Sequence, residues 1–140
     1  MAKNVFNLIL KNEVLIFRVV LGIIFLWFGF LKIINQSAIQ GLVKASFPLI
    51  ANPPYFQMLG IFEVIIGLFL LLGKYLKLIL PLLILHLLST LLIFIKNVNI
   101  VFRPYFPILT LEGEFVLKNI VLIAVALIIF AKINTSETKA

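Results

Sequence analysis

Four long apolar runs, separated by polar segments, dominate the hydropathy pattern of the chain. They lie at about residues 14–34, 56–72, 76–95 and 115–133. At a helical rise of about 1.5 Å per residue, runs of this length cross most or all of a hydrocarbon core about 30 Å thick. The pattern predicts an all-α fold, a four-helix transmembrane bundle in a single domain over residues 1–140, with a disordered polar tail at 134–140.

Two of the connections between these runs are too long to be simple turns. Residues 35–55 contain a short amphipathic pattern that the prolines at Pro48, Pro53 and Pro54 interrupt, and residues 96–111 contain an aromatic and proline-rich piece. Such segments are typical of interfacial structure. Four spans place both termini on one side of the membrane, and the shorter segments on that side carry many of the lysines. The positive-inside rule therefore favours cytoplasmic termini and outward-facing connections.

The composition narrows the function classes further. The chain has 64% hydrophobic and 12% charged residues, no cysteine and one histidine. The lack of cysteine excludes disulfides, thiol chemistry and cysteine-ligated zinc or iron–sulfur clusters, and little remains for a metal site built by the protein. The net charge of +7 comes mostly from residues at the ends of the apolar runs. We interpret these charged residues as determinants of membrane topology and as contacts to lipid headgroups of the bilayer. We do not interpret them as a nucleic-acid binding surface.

One acid lies well inside the second run. Gly60, Glu63 and Gly67 follow the spacing i, i+3 and i+7, so they share one helical face, and glycines on such a face allow a second helix to approach closely. Gly22 and Gly29, seven residues apart in the first run, offer a similar packing face. A carboxylate inside a membrane costs roughly 2.5–3.5 kcal/mol on insertion scales, so Glu63 is expected to face protein and to have a partner.

Other polar residues of the runs lie at similar depths. Counting residues places Glu63 roughly 10 Å and His86 roughly 14 Å from the side of the long connections. We predict a cavity that opens on that side and binds a ligand, with the connections as its lid. Each residue alone also fits a structural role, as a packing pair, a hydrogen-bonded histidine or an interfacial anchor. The candidate lining residues are Glu63, His86, Lys32, Lys118, Ser89 and Arg18.

The fourth run begins with a recognisable helix start. Thr110 precedes Glu112 and Glu114, and acids are favourable in the first turn of a helix because of its dipole. Lys118 follows Glu114 by four residues, the spacing of an ion pair on one helix face, and Asn119 comes next.

These motifs occur in a characteristic order: Arg18 with Gly22 and Gly29-x-x-Lys32, then Gly60-x-x-Glu63-x-x-x-Gly67, then His86, then Thr110-x-Glu112-Gly113-Glu114-Phe115-Val116-x-Lys118-Asn119. Their order and spacing resemble those of the DoxX-like family of small four-helix bacterial membrane proteins. The last motif is most similar to the branch of the reactive-chlorine resistance membrane proteins. The resemblance implies a four-helix bundle in the bacterial cytoplasmic membrane. It also implies a link to oxidative or sulfur stress, since relatives named DoxD resemble thiosulfate:quinone oxidoreductase subunits.

Three functions compete at this stage. The first is binding of a quinone or another amphipathic small molecule in the Glu63/His86 cavity, in the service of a membrane oxidoreductase partner. The second is a small proton-coupled transporter, which four helices form only as a homo-oligomer. The third is a structural or scaffolding subunit whose glycine faces bind another membrane protein. Whether the protein is an enzyme stays open, because the chain carries no dinucleotide fingerprint, haem motif or nucleophile constellation.

Overall fold

The computed structural model describes residues 2–137, and these residues fold into helices and connecting segments. Apart from an isolated antiparallel bridge between Phe102 and Leu109, this part of the chain contains no strand pairing. The helices are α1 (Ala2–Ile33), α2 (Gln40–Ser46), α3 (Pro53–Leu72), α4 (Leu76–Lys96), α5 (Val98–Val101), α6 (Leu111–Leu117) and α7 (Asn119–Glu137).

Four helical segments are long and apolar enough to cross a membrane, and this confirms the predicted all-α bundle. They are Leu10–Ile33, Pro53–Leu72, Leu76–Lys96 and Leu111–Thr135. The fourth combines α6 and α7, which are separated by a turn at Lys118. Lys118 itself keeps a right-handed helical backbone, and its N–H donates to the carbonyl oxygen of Glu114 at 3.1 Å, so the chain continues across the turn in nearly helical form.

The C-terminal part of the chain differs from the prediction. Residues 134–137, expected to begin a disordered tail, continue α7 to Glu137, and the remaining predicted tail lies outside the described residues. The Asn134 amide donates to the carbonyl oxygen of Phe130, and the Thr135 hydroxyl donates to that of Ala131. Both side chains thus bond to carbonyl groups one turn earlier in α7, a local bond that such polar residues can form inside a helix.

Helices α1 and α3 are antiparallel and pack with their backbones in close contact. A Cβ atom placed on Gly29 would lie 2.5 Å from the carbonyl oxygen of Gly60, and one placed on Gly67 would lie 2.8 Å from that of Gly22. Only glycine permits this approach. The pair is held against α4 and α7 by an apolar core that includes Leu21, Phe25, Ile66, Leu70, Leu80, Leu83, Ala126 and Ile129.

The two long connections pack together over one end of the bundle, which we name the capped end. The Asn97 amide of the second connection donates to the Ser46 hydroxyl of α2 at 2.6 Å. Apolar side chains of both connections form small clusters there with α4 and α6, among them Leu42, Ile93, Val101 and Val116. The opposite end, the terminal end, contains the α3–α4 turn, where Gly73 takes a left-handed backbone with φ +70°.

The start of α6 depends on a hydrogen-bonded cap at Thr110. Its hydroxyl oxygen accepts from the backbone N–H of Gly113 at 3.1 Å and the hydroxyl donates to the carbonyl oxygen of Ile100 at 2.9 Å. We expect Thr110→Val to lower the free energy of unfolding by about 0.5–2 kcal/mol, the usual cost of losing an N-cap. Unfolding in detergent, followed by circular dichroism, measures the change.

Thr110→Ser is the matched control for this prediction, because it keeps the hydroxyl and removes only a methyl group. The serine variant should retain most of the wild-type stability. A valine variant as stable as the wild type would contradict the role of the hydroxyl cap, because valine keeps the methyl group and lacks only the hydroxyl.

Candidate functional site

A buried cluster of three ionisable side chains joins three of the membrane-spanning helices. The Nζ atom of Lys32 lies 2.6 Å from Oε2 of Glu63, and Nε2 of His86 lies 2.8 Å from Oε1 of the same carboxylate. Lys32 and Glu63 are each only 4% exposed. Both oxygens of the acid therefore have a partner, as a carboxylate inside a membrane requires. We refer to Lys32, Glu63 and His86 as the buried cluster.

The glycine contact explains why Lys32 and Glu63 meet. Lys32 follows Gly29 by three residues, and Glu63 follows Gly60 by three residues, so each lies on the face that its glycine presents. Helical side chains lean toward the N-terminus of their own helix. Since α1 and α3 run in opposite directions, the two side chains lean toward each other across the glycine contact and close the ion pair.

Two aromatic rings and the carboxylate fix the imidazole of His86. The ring makes edge contacts with Phe25 and Phe62, at centroid distances of 6.3 and 5.7 Å. An ionised carboxylate only accepts hydrogen bonds, so the Nε2 atom facing Glu63 carries the hydrogen. The Nδ1 atom has no hydrogen-bond partner among the residues that the structure describes. In the neutral ring this atom offers a lone pair, and in the charged ring it offers a donor.

A small cavity lies beside the buried cluster, toward the capped end; its wall is mostly apolar, and we name it the polar cavity for the polar side chains that also line it. Its volume is about 30 Å³. The Asn119 side chain forms part of its wall and donates from Nδ2 to the Thr90 hydroxyl oxygen at 2.7 Å, while the Thr90 hydroxyl donates to the carbonyl oxygen of Leu87 at 2.6 Å. The cavity is lined by Phe25, Phe28, Lys32, Ile39, Glu63, His86, Leu87, Thr90, Phe115, Asn119 and Leu122.

A second, larger and mostly apolar depression also borders the histidine, and we name it the groove. Its volume is about 190 Å³. The Ser89 hydroxyl in its wall donates to the carbonyl oxygen of His86 at 2.6 Å. The groove is lined by Val43, Phe47, Ile50, Leu59, His86, Ser89, Thr90, Leu92 and Ile93. His86 therefore borders both the polar cavity and the groove.

Two of the predicted lining residues lie away from the buried cluster. Arg18 does not line the cavity, because its guanidinium group packs beside Gly73 at the terminal end. Lys118 stands at the turn between α6 and α7, with its Nζ atom 4.1 Å from the ring centre of Phe28 and 3.2 Å from that of Phe115. Both rings belong to the cavity wall, so Lys118 flanks the cavity without forming part of its lining.

The predicted helix-start residues divide into two groups. Glu112 and Glu114 lie exposed in the first turn of α6, where the helix dipole favours acids. Asn119 instead begins α7, is buried and contributes to the cavity. Sequence reasoning centred on charges overlooked Asn119 and Thr90 as members of the site. The available signal was the position of Thr90, four residues after His86 and therefore on the same helix face.

Comparison with known proteins assigns the chain to a family. Neither the curated proteins nor the solved structures provide a match. The family model DoxX matches residues 13–96, which is more than half of the chain and includes all three members of the buried cluster. The match does not reach Thr110–Asn119, so the resemblance to the reactive-chlorine resistance branch stays a prediction. The four apolar helices and this match show that the chain is a multi-pass membrane protein that belongs to the DoxX family.

Proposed function

We propose that the protein binds an amphipathic small molecule of the quinone or quinol class. This ligand comes from the bilayer and binds in the groove beside His86. The observation that carries the proposal is the position of the His86 ring. It borders an apolar groove and is hydrogen-bonded to a buried, ion-paired carboxylate. An apolar site with a few convergent polar groups is the usual form of a small-molecule site.

The two volumes support the groove as the site and argue against the cavity that sequence reasoning proposed. The polar cavity of about 30 Å³ has the size of one or two waters and accommodates no aromatic head group. The groove, at about 190 Å³, is smaller than the roughly 300–1,000 Å³ that encloses a drug-sized ligand. This size suits a head group held by the protein while its apolar tail stays in the lipid.

The chemistry of the buried cluster suits a ligand that exchanges protons. With Nε2–H donating to Glu63, the Nδ1 lone pair of His86 accepts a hydrogen bond from the hydroxyl of a quinol. When the ring takes up a proton, the neighbouring carboxylate stabilises the imidazolium and Nδ1–H donates to the carbonyl of a quinone. Lys32 pairs with the other carboxylate oxygen of Glu63 at 2.6 Å and compensates its charge in the resting cluster. Electron transfer needs a second protein, and a membrane oxidoreductase is the partner that the proposal implies.

The setting of this function is also part of the proposal. Location in the bacterial cytoplasmic membrane and a role in oxidative or sulfur stress defence follow from the family resemblance. Cytoplasmic termini follow from the distribution of lysines.

The two alternative functions have less support. A transporter needs a passage for its substrate, and the space beside Glu63 is water-sized. A scaffold was suggested by the glycine faces, but Gly22, Gly29, Gly60 and Gly67 pack against each other's helices within the chain. Glycines that are used in this way do not offer a surface to another protein.

The proposal predicts that His86→Gln weakens binding of a short-chain quinol analogue about tenfold, the effect of losing one hydrogen bond of roughly 1–1.5 kcal/mol. Calorimetric titration of the protein in lipid nanodiscs, with empty nanodiscs as the blank, measures the dissociation constant. Mass spectrometry of organic extracts from the purified protein shows, in parallel, which amphiphile is bound from the cell.

Two further variants make this experiment decisive. Leu59→Trp fills the groove without changing the buried cluster, and it should abolish binding. Leu85→Ala lies on the same helix as His86 but is 66% exposed, so it should bind like the wild type. Wild-type protein that binds no analogue, or equal affinities for wild type, His86→Gln and Leu59→Trp, would contradict the proposal.

A further inference from the structure

The ammonium group of Lys32 has more hydrogens than protein partners. It carries three N–H donors, and one of them reaches Glu63 at 2.6 Å. No other described residue accepts a hydrogen bond from it, although the side chain is almost completely buried. Buried donors without acceptors are costly, and more so on a charged group. The remaining donors therefore call for an acceptor that is not part of the protein.

The polar cavity provides room for that acceptor. Its volume of about 30 Å³ exceeds the roughly 10–15 Å³ that a single water needs, and a stable buried water needs two to four polar partners. Lys32, Glu63, His86, Thr90 and Asn119 all contribute to its lining. A water-sized polar ligand meets these conditions better than any larger molecule.

Asn119 is oriented so that it presents an acceptor. The Thr90 hydroxyl uses its own hydrogen on the carbonyl oxygen of Leu87, so toward Asn119 it only accepts. The amide nitrogen Nδ2 of Asn119 therefore faces Thr90, and the amide oxygen Oδ1 points away from this hydrogen bond. No described residue donates to Oδ1, and Asn119 is only 8% exposed.

We infer that the cavity is a water-binding site in which one or two waters connect the Lys32 ammonium to Oδ1 of Asn119, and that this water is the outlet for protons from the buried cluster. When a groove ligand gives a proton to Nδ1 of His86, the proton on Nε2 passes to Oε1 of Glu63 and from there to the cavity water. The histidine is then neutral, with its hydrogen on Nδ1, and the imidazole must exchange this hydrogen for one on Nε2 before it takes up the next proton. The proton leaves past Asn119, at the turn between α6 and α7.

The inference of a water site depends only on the cavity and its lining residues. The inference of a proton outlet also depends on the proposed function. The water site is tested by nuclear magnetic resonance on protein labelled with ¹⁵N-lysine in lipid nanodiscs. The wild-type Lys32 ammonium should show a nuclear Overhauser effect with water, and Asn119→Leu, which fills the cavity and removes the acceptor, should abolish it. A wild-type Lys32 that shows no such effect overturns the inference, whatever the variants do.

Thr90→Val is a second variant, in case Asn119→Leu fails to fold. It removes the hydroxyl that orients the amide, so the Overhauser effect between Lys32 and water should weaken. The Lys118 ammonium is the control in the same spectra, because it lies outside the cavity lining and its signal should not change between variants. An unchanged Lys32 signal in both variants overturns the role of Asn119.

The outlet is tested on the same samples by the exchange rate of the His86 ring N–H with solvent. Asn119→Leu should slow this exchange about tenfold, the effect of losing one hydrogen-bonded link. If the exchange rate is unchanged in a variant whose Lys32 no longer touches water, the outlet is overturned. A wild-type protein that binds no analogue but has water at Lys32 refutes the proposed function and leaves the water site supported.

Discussion

Replacement of Glu63 by leucine is expected to lower the free energy of unfolding by about 3–5 kcal/mol, the largest effect of any single substitution considered for this chain. The carboxylate accepts from Lys32 at 2.6 Å and contacts His86 at 2.8 Å, and the lysine is 4% exposed. Without Glu63 the ammonium is left buried and uncompensated. Losing the attraction of the ion pair lowers the free energy of unfolding less than leaving the lysine charge buried without a partner does. Equilibrium unfolding in mixed detergent micelles, followed by circular dichroism, measures the change.

The double variant Lys32→Met/Glu63→Leu separates these two contributions. Both charges are gone, and two apolar side chains of similar length replace them, so stability should return to within about 1 kcal/mol of the wild type or exceed it. Glu112→Gln is the control, because this acid is exposed on α6 and its replacement should change stability by less than about 0.5 kcal/mol. A double variant as unstable as Glu63→Leu would contradict the assignment of the cost to the unpaired lysine.

The membrane-spanning part of the fold follows from the sequence because bilayer thickness and helical rise set the length of an apolar run. The helices Pro53–Leu72 and Leu76–Lys96 begin and end within about a turn of the predicted spans 56–72 and 76–95. The break at Lys118 could not be read in this way, since residues 111–135 are apolar enough throughout to form a single span.

The site shows a similar division between what a sequence determines and what it leaves open. Helical periodicity places Glu63 on the same face as Gly60 and Gly67, but it does not say which helix packs against that face. The partner depends on the antiparallel register of α1 and α3, which brings Gly29 to Gly60 and thereby Lys32 to Glu63. Residue counting placed Glu63 and His86 at similar depths, and side-chain direction and packing bring them within hydrogen-bonding distance.

Residue counting alone could have excluded Arg18 from the site, whereas the groove has no one-dimensional signal. Arg18 belongs to the same motif as Gly22 and Lys32, yet 14 residues along a helix place it about 21 Å from Lys32, at the terminal end. The groove is built by side chains of α2, α3 and α4 with the segment after α2, so it exists only once the first connection has folded over the bundle. Composition shows that these residues are apolar, but not that they leave a space between them.

The second large effect is expected at the glycine contact, where Gly60→Ala should destabilise the protein by about 1–3 kcal/mol. A Cβ atom at Gly60 would lie 2.6 Å from the carbonyl oxygen of Gly29 and 3.0 Å from the backbone N of Ile33. Backbone atoms cannot turn aside as a side chain does, so α1 and α3 must separate along this part of their length. The separation also strains the ion pair between Lys32 and Glu63, which lies next to the contact.

Comparison with two other glycines shows whether the backbone contact is responsible. At Gly22 a new Cβ atom would lie 2.8 Å from the Leu71 side chain, which can move, and 3.0 Å from the carbonyl oxygen of Gly67. This backbone distance is longer than the 2.6 Å at Gly60, so Gly22→Ala should cost less than Gly60→Ala. At Gly41 no atom lies within 4 Å, and alanine favours a helix over glycine by about 0.5–1 kcal/mol, so Gly41→Ala should leave the protein unchanged or more stable. The order of the unfolding free energies in lipid nanodiscs is the measurement. If Gly60→Ala were as stable as Gly41→Ala, α1 and α3 would not be packed through their glycines in the membrane, and the route by which Lys32 reaches Glu63 would have to be a different one.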